Sequence, residues 1–199
     1  SEGRGFELMD SIANYDVYGS FGAGSLGAIT TQQIILDHFE NQRGWKDMAK
    51  QKGVGYIPSI SPGYNDMGVR PEFTRPPLAR VMLGSANREG SMFEYSLEHA
   101  MKLLDPDVSN ILMVTSFNEW HEDSQLEPVI GQSPMSEPTD LTFGVPYQAY
   151  GDTYLKILRA GTSEDDDPTN APTIDDGHDD DDDDETEDRG TWIFSDDIF

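Results

Sequence analysis

The sequence predicts an α/β fold in which short parallel strands alternate with helices. Three stretches have the length and the β-branched or aromatic content of strands, and each precedes a stretch whose apolar residues recur at helical spacing. Such alternation gives a parallel sheet whose loops gather at the carboxyl ends of the strands. A polar cluster follows each strand, which is where folds of this class place their chemistry.

The first strand and helix come from the N-terminal part of the chain. We predict a strand over residues 12–21, because this stretch is rich in aromatic and β-branched residues and runs into a Gly/Ser-rich loop. A helix is expected over residues 30–51. Thr30 or Thr31 can cap its start, apolar residues recur along one face, and Gly53 ends it.

The later elements continue the alternation. We predict a second strand over residues 54–60, a long loop over 64–90, a helix over 93–104 and a third strand over 109–117, with a last helix after Pro146. Three βα units are too few for a closed barrel, which typically takes about 250 residues. The residues therefore leave two architectures open, a small open sheet and the latter part of a larger barrel.

Composition limits the partners that the chain can bind. It carries 38 acidic and 13 basic residues, a formal net charge of −25. Phosphate binding needs clustered Lys and Arg, so nucleic acid is not an expected partner. No apolar run approaches the roughly 18 to 20 residues that span a bilayer. The absence of cysteine excludes disulfides and thiolate metal sites.

The acidic excess is concentrated towards the C-terminal end. Residues 161–199 hold 17 acids and one base, including the unbroken run 179–184. Self-repulsion and the scarcity of apolar residues predict a disordered acidic tail over 161–199, behind a globular domain of residues 1–160. Residues 192–194 and 198–199 are apolar again, and we expect at most a short docking segment there. Binding of divalent cations to the acidic run is a weaker hypothesis.

One polar stretch directly after the third strand is the strongest candidate for an active site. From residue 114 to residue 128 it reads V-T-S-F-N-E-W-H-E-D-S-Q-L-E-P. Charged side chains are almost never fully buried without partners, so core packing does not explain this composition. Glu119 and Glu122 can face one cleft, where coupled carboxyls divide into an ionised and a protonated group. Cleavage of a glycosidic bond requires that division.

Neighbouring side chains could complete a sugar site. Trp120 and Tyr64 can offer apolar faces to a sugar ring, and Asn118, His121 and Gln125 can pair with hydroxyls. A structural alternative stays open for the glutamates, because acids at strand ends often cap the next helix. Spacing alone favours a core position for Tyr64. A metal site is disfavoured, since no second histidine lies at ligand spacing from His121.

The stretch from Thr115 to Pro128 closely resembles the signature of glycoside hydrolase family 99, the endo-α-1,2-mannosidases. Further stretches agree with the family in the same order: 56–64, 66–71 and 87–100. The resemblance implies a (β/α)8 TIM barrel, of which this chain would hold only the later βα units, followed by the acidic tail. It covers about residues 10–158.

The resemblance also implies a mechanism that needs no metal or other cofactor. Glu119 would be the base that deprotonates the substrate 2-hydroxyl, whose oxygen then attacks the anomeric carbon to give a 1,2-anhydro sugar. Glu122 would be the general acid and then the general base, so that the sugar is released with retention. Tyr64 would line the same subsite. Arg70, in the matched Val-Arg-Pro stretch, joins the predicted substrate-binding residues.

The implied substrate is an α-mannoside oligosaccharide or the N-glycan of a glycoprotein. By resemblance the protein would act in the Golgi or the secretory pathway, with membrane attachment only through a segment not present in this chain. Asp123 stands where the family has glycine, and Asp tolerates left-handed backbone better than most residues. The alternative function is an inactive or incomplete glycan-binding relative. We expect residues 1–160 alone to be inactive.

Overall fold

The computed structural model describes residues 5–15, 17–21, 30–72, 77–86, 88–131, 149–163 and 193–194. The strands in these ranges are β1 (Ser11–Ala13), β2 (Gly55–Ile57), β3 (Ser59–Ile60), β4 (Met113–Val114) and β5 (Ile193–Phe194). The α-helices are α1 (Val17–Ser20), α2 (Gln32–Gln51), α3 (Ser91–Met101) and α4 (Thr153–Thr162).

The pairings between these strands are parallel. Ser11 of β1 lies opposite Gly55 of β2, and Ser59 of β3 lies opposite Met113 of β4. β4 pairs on its other side with β5, where Met113 lies opposite Ile193. The described strands thus form two sheets, β1-β2 and β3-β4-β5, and a single proline separates β2 from β3 in the chain. The predicted α/β class is confirmed, and membership of a larger barrel stays a prediction.

Helix α2 begins and ends where the sequence predicts. Thr31 is its N-cap, and its Oγ1 accepts a hydrogen bond from the Ile34 N–H at 3.3 Å. Ile35 and Phe39 on the inner face are buried in the core. After the helix, Gly53 adopts a φ of 71°, a left-handed conformation that glycine reaches without steric cost.

The first predicted strand is wrong beyond Ala13. The chain turns there, and α1 follows as a short helix that buries Val17 and Tyr18, with Phe21 buried directly after it. Aromatic and β-branched residues suit any buried position, so a short apolar run does not distinguish a strand from a helical turn. The third predicted strand is likewise shorter than expected and comprises only β4.

The core lies between the helices and the strands. Helices α3 and α4 pack against each other, with the rings of Phe93 and Tyr154 edge to face at 5.4 Å between centroids. Gly161 of α4 lies so close to α3 that a Cβ on it would come within 2.5 Å of Leu97 Cδ2. The C-terminal end of α4 is therefore packed directly against α3.

The last predicted helix starts at Thr153, later than expected, and ends at Thr162. Most of the predicted acidic tail, residues 164–192 and 195–199, lies outside the described residues, so its predicted disorder stays a prediction. The tail predicted over 161–199 is wrong at two places in the described residues: α4 continues to Thr162, and residues 193–194 form β5, which pairs with β4 where a short docking segment was expected. None of the described helices combines the length and the hydropathy needed to cross a membrane.

Candidate active site

The candidate site is built on the loop that leaves β4, residues 116–127, called the motif loop below. The buried Ser116 closes it: its Oγ accepts the Glu119 N–H at 2.8 Å, and its own N–H donates to Ser124 O at 2.9 Å. Leu126 anchors the far end, fully buried, with its N–H donating to Ser116 O at 3.1 Å. The polar residues between these anchors are therefore presented on a compact loop.

Glu119 begins the single 3-10 turn Trp120–Glu122 at the centre of the motif loop. Its Oε1 accepts the His121 N–H at 3.2 Å, so Glu119 is the N-cap of this turn, as the structural alternative predicts. His121 Nδ1 lies 3.5 Å from the same oxygen. The Glu119 side chain is nevertheless 42% exposed. The cap therefore orients the carboxylate without burying it.

Glu122 ends the same turn and meets a cluster from a second loop. Arg70 Nη1 donates to Glu122 Oε1 at 2.6 Å, to Asp66 Oδ2 at 3.1 Å and to Tyr64 Oη at 3.1 Å. Tyr64 Oη also donates to Asp66 Oδ2 at 3.2 Å. The structure thus joins three predicted site residues, Tyr64, Arg70 and Glu122, the last of which lies 52 positions after Arg70. We call these four side chains the Arg70 cluster.

The charges of the Arg70 cluster set the protonation of its tyrosine and arginine. Burial, followed by the carboxylates of Glu122 and Asp66, raises the pKa of Tyr64 far above its usual value, and Arg70 opposes this only partly. Hydrogen bonds to Glu122 and Asp66 raise the pKa of Arg70. Tyr64 is therefore a neutral phenol at neutral pH and Arg70 a permanent cation. The Tyr64 ring stacks on Tyr18, with centroids 4.2 Å apart.

The other predicted binding residues lie on two sides of the motif loop. Asn118, Trp120 and His121 are exposed, and Trp120 Nε1 donates to Glu127 Oε2 at 2.9 Å. Gln125 is buried, and its backbone carbonyl accepts from Arg80. Gln125 is thus held beneath the loop, apart from the exposed side chains, and its sugar contact stays a prediction.

Sequence reasoning missed Arg80, a buried residue that contacts the motif loop from below. Its guanidinium donates to Asp123 Oδ1, Asp123 O and Gln125 O at 3.0–3.2 Å. Asp123 has a φ of 50°, so the left-handed turn expected at this position is confirmed. The available signal was a lone arginine within an apolar, proline-containing stretch, P-P-L-A-R-V-M, where a charge needs a partner.

A cavity of about 660 Å³ lies elsewhere, between the start of α2 and the residues 82–85 and Arg88, and no predicted site residue lines it. In the part of the chain that the structure describes, no group of three or more His, Asp or Glu side chains is placed to hold a metal ion. The side chains of Glu119 and Glu122, at the end of β4, are 42% and 28% exposed.

A carboxylate-rich loop at the carboxyl end of a parallel strand, beside a tyrosine and an arginine, is the kind of site that carbohydrate-cleaving α/β enzymes use. A sequence model of glycosyl hydrolase family 99 matches residues 28–163, and the chain belongs to this family. The family predicted from the motifs is confirmed.

Curated relatives agree with this membership. The chain is 31% identical over 121 residues to a glycoprotein endo-alpha-1,2-mannosidase-like protein of Mus musculus, covering 60% of this chain and 23% of that protein. It is 30% identical over 124 residues to a glycoprotein endo-alpha-1,2-mannosidase of Rattus norvegicus, covering 62% and 24%. The chain therefore spans about a quarter of the length of these relatives.

Solved structures include two distant neighbours. One is described as a glycoside hydrolase-like protein, with a TM-score of 0.47 and 20% identity over 76% of this chain and 37% of that chain. The other is a GH99 endo-alpha-mannosidase from Bacteroides thetaiotaomicron, with a TM-score of 0.44 and 24% identity over 77% and 40%.

Proposed function

We propose that the complete gene product is a retaining endo-α-1,2-mannosidase-like hydrolase that cleaves α-mannosidic bonds within N-glycans or mannans. The observation that carries this proposal is the position of Glu119 and Glu122 at the two ends of one 3-10 turn after β4, inside the family match. Both carboxylates are accessible, at 42% and 28% exposed. The names of the relatives, glycoprotein endo-alpha-1,2-mannosidase, support the substrate class.

Glu119 is proposed as the base. The bond from the His121 N–H orients its carboxylate, which removes the proton from the substrate 2-hydroxyl. The 2-oxygen attacks the anomeric carbon, the glycosidic bond breaks, and Glu122 gives its proton to the leaving oxygen. The product of this step is a 1,2-anhydro sugar, with Glu119 protonated and Glu122 ionised.

The second step returns Glu119 and Glu122 to the protonation states that they have before the reaction. Glu122 takes a proton from a water molecule, which attacks the anomeric carbon and opens the anhydro ring. The 2-oxygen recovers its proton from Glu119. Two successive inversions at the anomeric carbon give overall retention.

The hydrogen bond from Arg70 to Glu122 bears on the proposed role of Glu122 as the general acid. Arg70 Nη1 occupies Glu122 Oε1 at 2.6 Å, whereas a general acid has to reach the leaving oxygen of the substrate. The contact between Arg70 and Glu122 therefore has to open when substrate binds. Arg70 can release Glu122 while keeping Asp66 and Tyr64, and its freed N–H group can then donate to a sugar hydroxyl.

The second candidate function is a catalytically inactive glycan-binding relative. The ion pair between Arg70 and Glu122 and the aspartate at position 123, where the family resemblance has glycine, favour this alternative. It predicts that a mannoside binds the complete gene product without turnover. Release of oligosaccharide from an N-glycan by that protein would exclude it.

The decisive experiment replaces Glu122 by Gln in the complete gene product. Loss of general acid–base catalysis should lower kcat by about 10²- to 10⁴-fold, measured as release of mannooligosaccharide. Glu98→Gln is the matched control, because Glu98 is an exposed helical glutamate outside the site. Unchanged hydrolysis by the Glu122→Gln protein, with the control also active, would contradict the assignment.

Location and fragment activity complete the proposal. The relatives' names support action on glycoproteins, and so a place in the Golgi or the secretory pathway, with membrane attachment through a segment outside this chain. We expect no hydrolysis by residues 1–160 alone. Hydrolysis of an α-mannoside by that isolated piece would contradict this expectation.

A further inference from the structure

We propose that Arg80 is a positioning residue that holds the turn at Asp123 and thereby fixes the backbone position of Glu122. This role matters for catalysis only if Glu122 acts in the reaction, so it rests on the proposed function. Neither the motif nor the family resemblance assigns a role to Arg80, which reaches the motif loop from the loop that precedes α3.

Three hydrogen bonds from one guanidinium define the contact. Arg80 Nε donates to Asp123 Oδ1 at 3.1 Å, and Nη2 donates to Asp123 O at 3.0 Å and to Gln125 O at 3.2 Å. The guanidinium is planar, and its donors have a fixed geometry. It therefore fixes the side chain and the backbone of Asp123 together, along with the backbone two residues further on.

The support beneath Arg80 is rigid. Only 8% of the side chain is exposed, and its Cζ lies 5.3 Å from the ring centre of Tyr150 and 5.0 Å from that of Tyr154. On the other side, a Cβ at Gly63 would come within 2.7 Å of Arg80 Cγ, so the glycine makes room for the arginine stem. Arg80 has little freedom to leave the motif loop.

Asp123 needs such support. Its φ of 50° and ψ of 37° are left-handed, an uncommon conformation for a residue with a side chain. Glycine, which the family resemblance has here, reaches this conformation at no steric cost. In this chain the ion pair with Arg80 holds the turn in place of a glycine.

The geometry of Glu122 follows from that turn. Glu122 directly precedes Asp123, and its own carbonyl accepts the Asn65 N–H at 2.7 Å. The Glu122 backbone is thus held from one side by Asn65 and from the other by Asp123 on Arg80. Held at both sides, the carboxylate reaches Arg70 Nη1 at 2.6 Å.

The test compares Arg80→Lys, Arg80→Met and Asp123→Gly in the complete gene product, assayed on an α-1,2-linked mannooligosaccharide below the melting temperature of each variant. Misplacement of Glu122 should lower kcat of Arg80→Met by on the order of 10- to 100-fold with little change in KM. Arg80→Lys should fall between Arg80→Met and the unchanged protein, because lysine keeps the charge but not the planar fork.

A rescue separates positioning from general stability. In the double variant Arg80→Met with Asp123→Gly, glycine adopts the turn without help, so the loss in kcat should be smaller than in Arg80→Met alone. Arg43→Met is the matched control, because Arg43 forms an exposed ion pair with Glu40 on α2, away from the motif loop. Its kcat should not change.

Amide hydrogen exchange over residues 119–126 gives a readout that does not depend on activity. Exchange should be faster in Arg80→Lys and Arg80→Met and unchanged in Arg43→Met. If Glu122→Gln retains full activity, the proposed function fails, while the exchange data still decide whether Arg80 holds the loop. Unchanged exchange, or unchanged kcat in a folded Arg80 variant, overturns the proposal. If Arg80→Met does not fold, the lysine variant decides.

Discussion

Glu122 and Asp123 are adjacent carboxylates that are each paired with an arginine, yet their surroundings differ. In the pair with Arg70 the side chains are 28% and 43% exposed, with 2.6 Å between charged atoms. In the pair with Arg80 they are 16% and 8% exposed, at 3.0 Å. The exposed pair is the shorter one, but it is open to water and to exchange with a ligand.

The comparison shows that two adjacent carboxylates of one turn can differ in how firmly their ion pairs are held. A solvent-exposed ion pair adds little to stability and opens readily, which suits a group that must gain and lose a proton. A buried pair is costly to break, because removing one partner strands a charge in the protein interior. The motif loop therefore has the proposed acid–base residue and a firmly held residue side by side.

The largest effect should come from breaking the buried pair. Arg80→Met should lower the free energy of unfolding by about 3–5 kcal/mol, since Asp123, only 16% exposed, is left unpaired. Arg70→Met should cost less, because Glu122 stays in contact with water and the buried Asp66 keeps the hydroxyl of Tyr64 as a donor. Urea unfolding of both variants measures the difference. Equal losses would remove the distinction between the two pairs.

The apolar anchor of the motif loop should have the next largest effect. Leu126 is fully buried, and Leu126→Ala should cost about 2–5 kcal/mol through lost burial and the cavity left behind. Ile130, 97% exposed and just after the loop, is the matched control and should tolerate alanine with little change. A similar loss of unfolding free energy in both variants would show that the loop is not anchored at Leu126.

A third prediction concerns the pH dependence of the buried side of the site. Burial raises the pKa of Glu89 above 4.5, although Arg80 and the hydroxyl of Tyr154 oppose the shift. The folded state then binds more protons than the unfolded state, so this contribution favours folding at low pH and is lost as the pH rises through the raised pKa.

Glu89→Gln should remove that pH dependence while keeping an oxygen that can accept from Tyr154 Oη. Unfolding free energies at a series of pH values from about 4 upwards measure it. Stability curves of the same shape for both proteins would contradict the assignment to Glu89.

The smallest effect should come from an exposed pair on a helix. Glu98 accepts from Lys102 at 2.7 Å one turn later in α3, and this bond, followed by the charge of Lys102, lowers the pKa of Glu98. Glu98→Gln should cost about 0.3–0.5 kcal/mol near neutral pH. Because the pKa of Glu98 is lowered, the contribution of this pair to stability is lost as the pH falls through that pKa. Added salt should also weaken the pair by screening its charges. A loss that persists in high salt would refute this account.

Local signals in the sequence predicted local structure. Thr31 and Gly53 mark the ends of α2 correctly, because caps and left-handed turns depend on neighbouring residues. The motif loop was likewise predicted, since its acids follow one another in the chain. α1 was missed, because a short run of aromatic residues suits a buried turn as well as a strand.

Contacts between residues that are far apart in the chain could not be predicted from the sequence. Arg80 and Asp123 are 43 positions apart, and Arg70 and Glu122 are 52 apart. Their pairing depends on how the loops before α3 fold back towards β4, which no local pattern records. Asp66 matched the family stretch, yet only the structure shows that it shares Arg70 with Glu122.

β5 has a consequence for the order in which the protein is made. β4 leaves the ribosome well before its partner strand, because the long acidic segment comes between them in the sequence. Until β5 arrives, one edge of β4 offers unpaired backbone groups to any passing strand. The acidic segment between the two strands repels other nascent copies of the chain, because all copies carry the same charge. The residues that separate β5 from β4 in the sequence therefore also reduce intermolecular pairing at the open edge of β4.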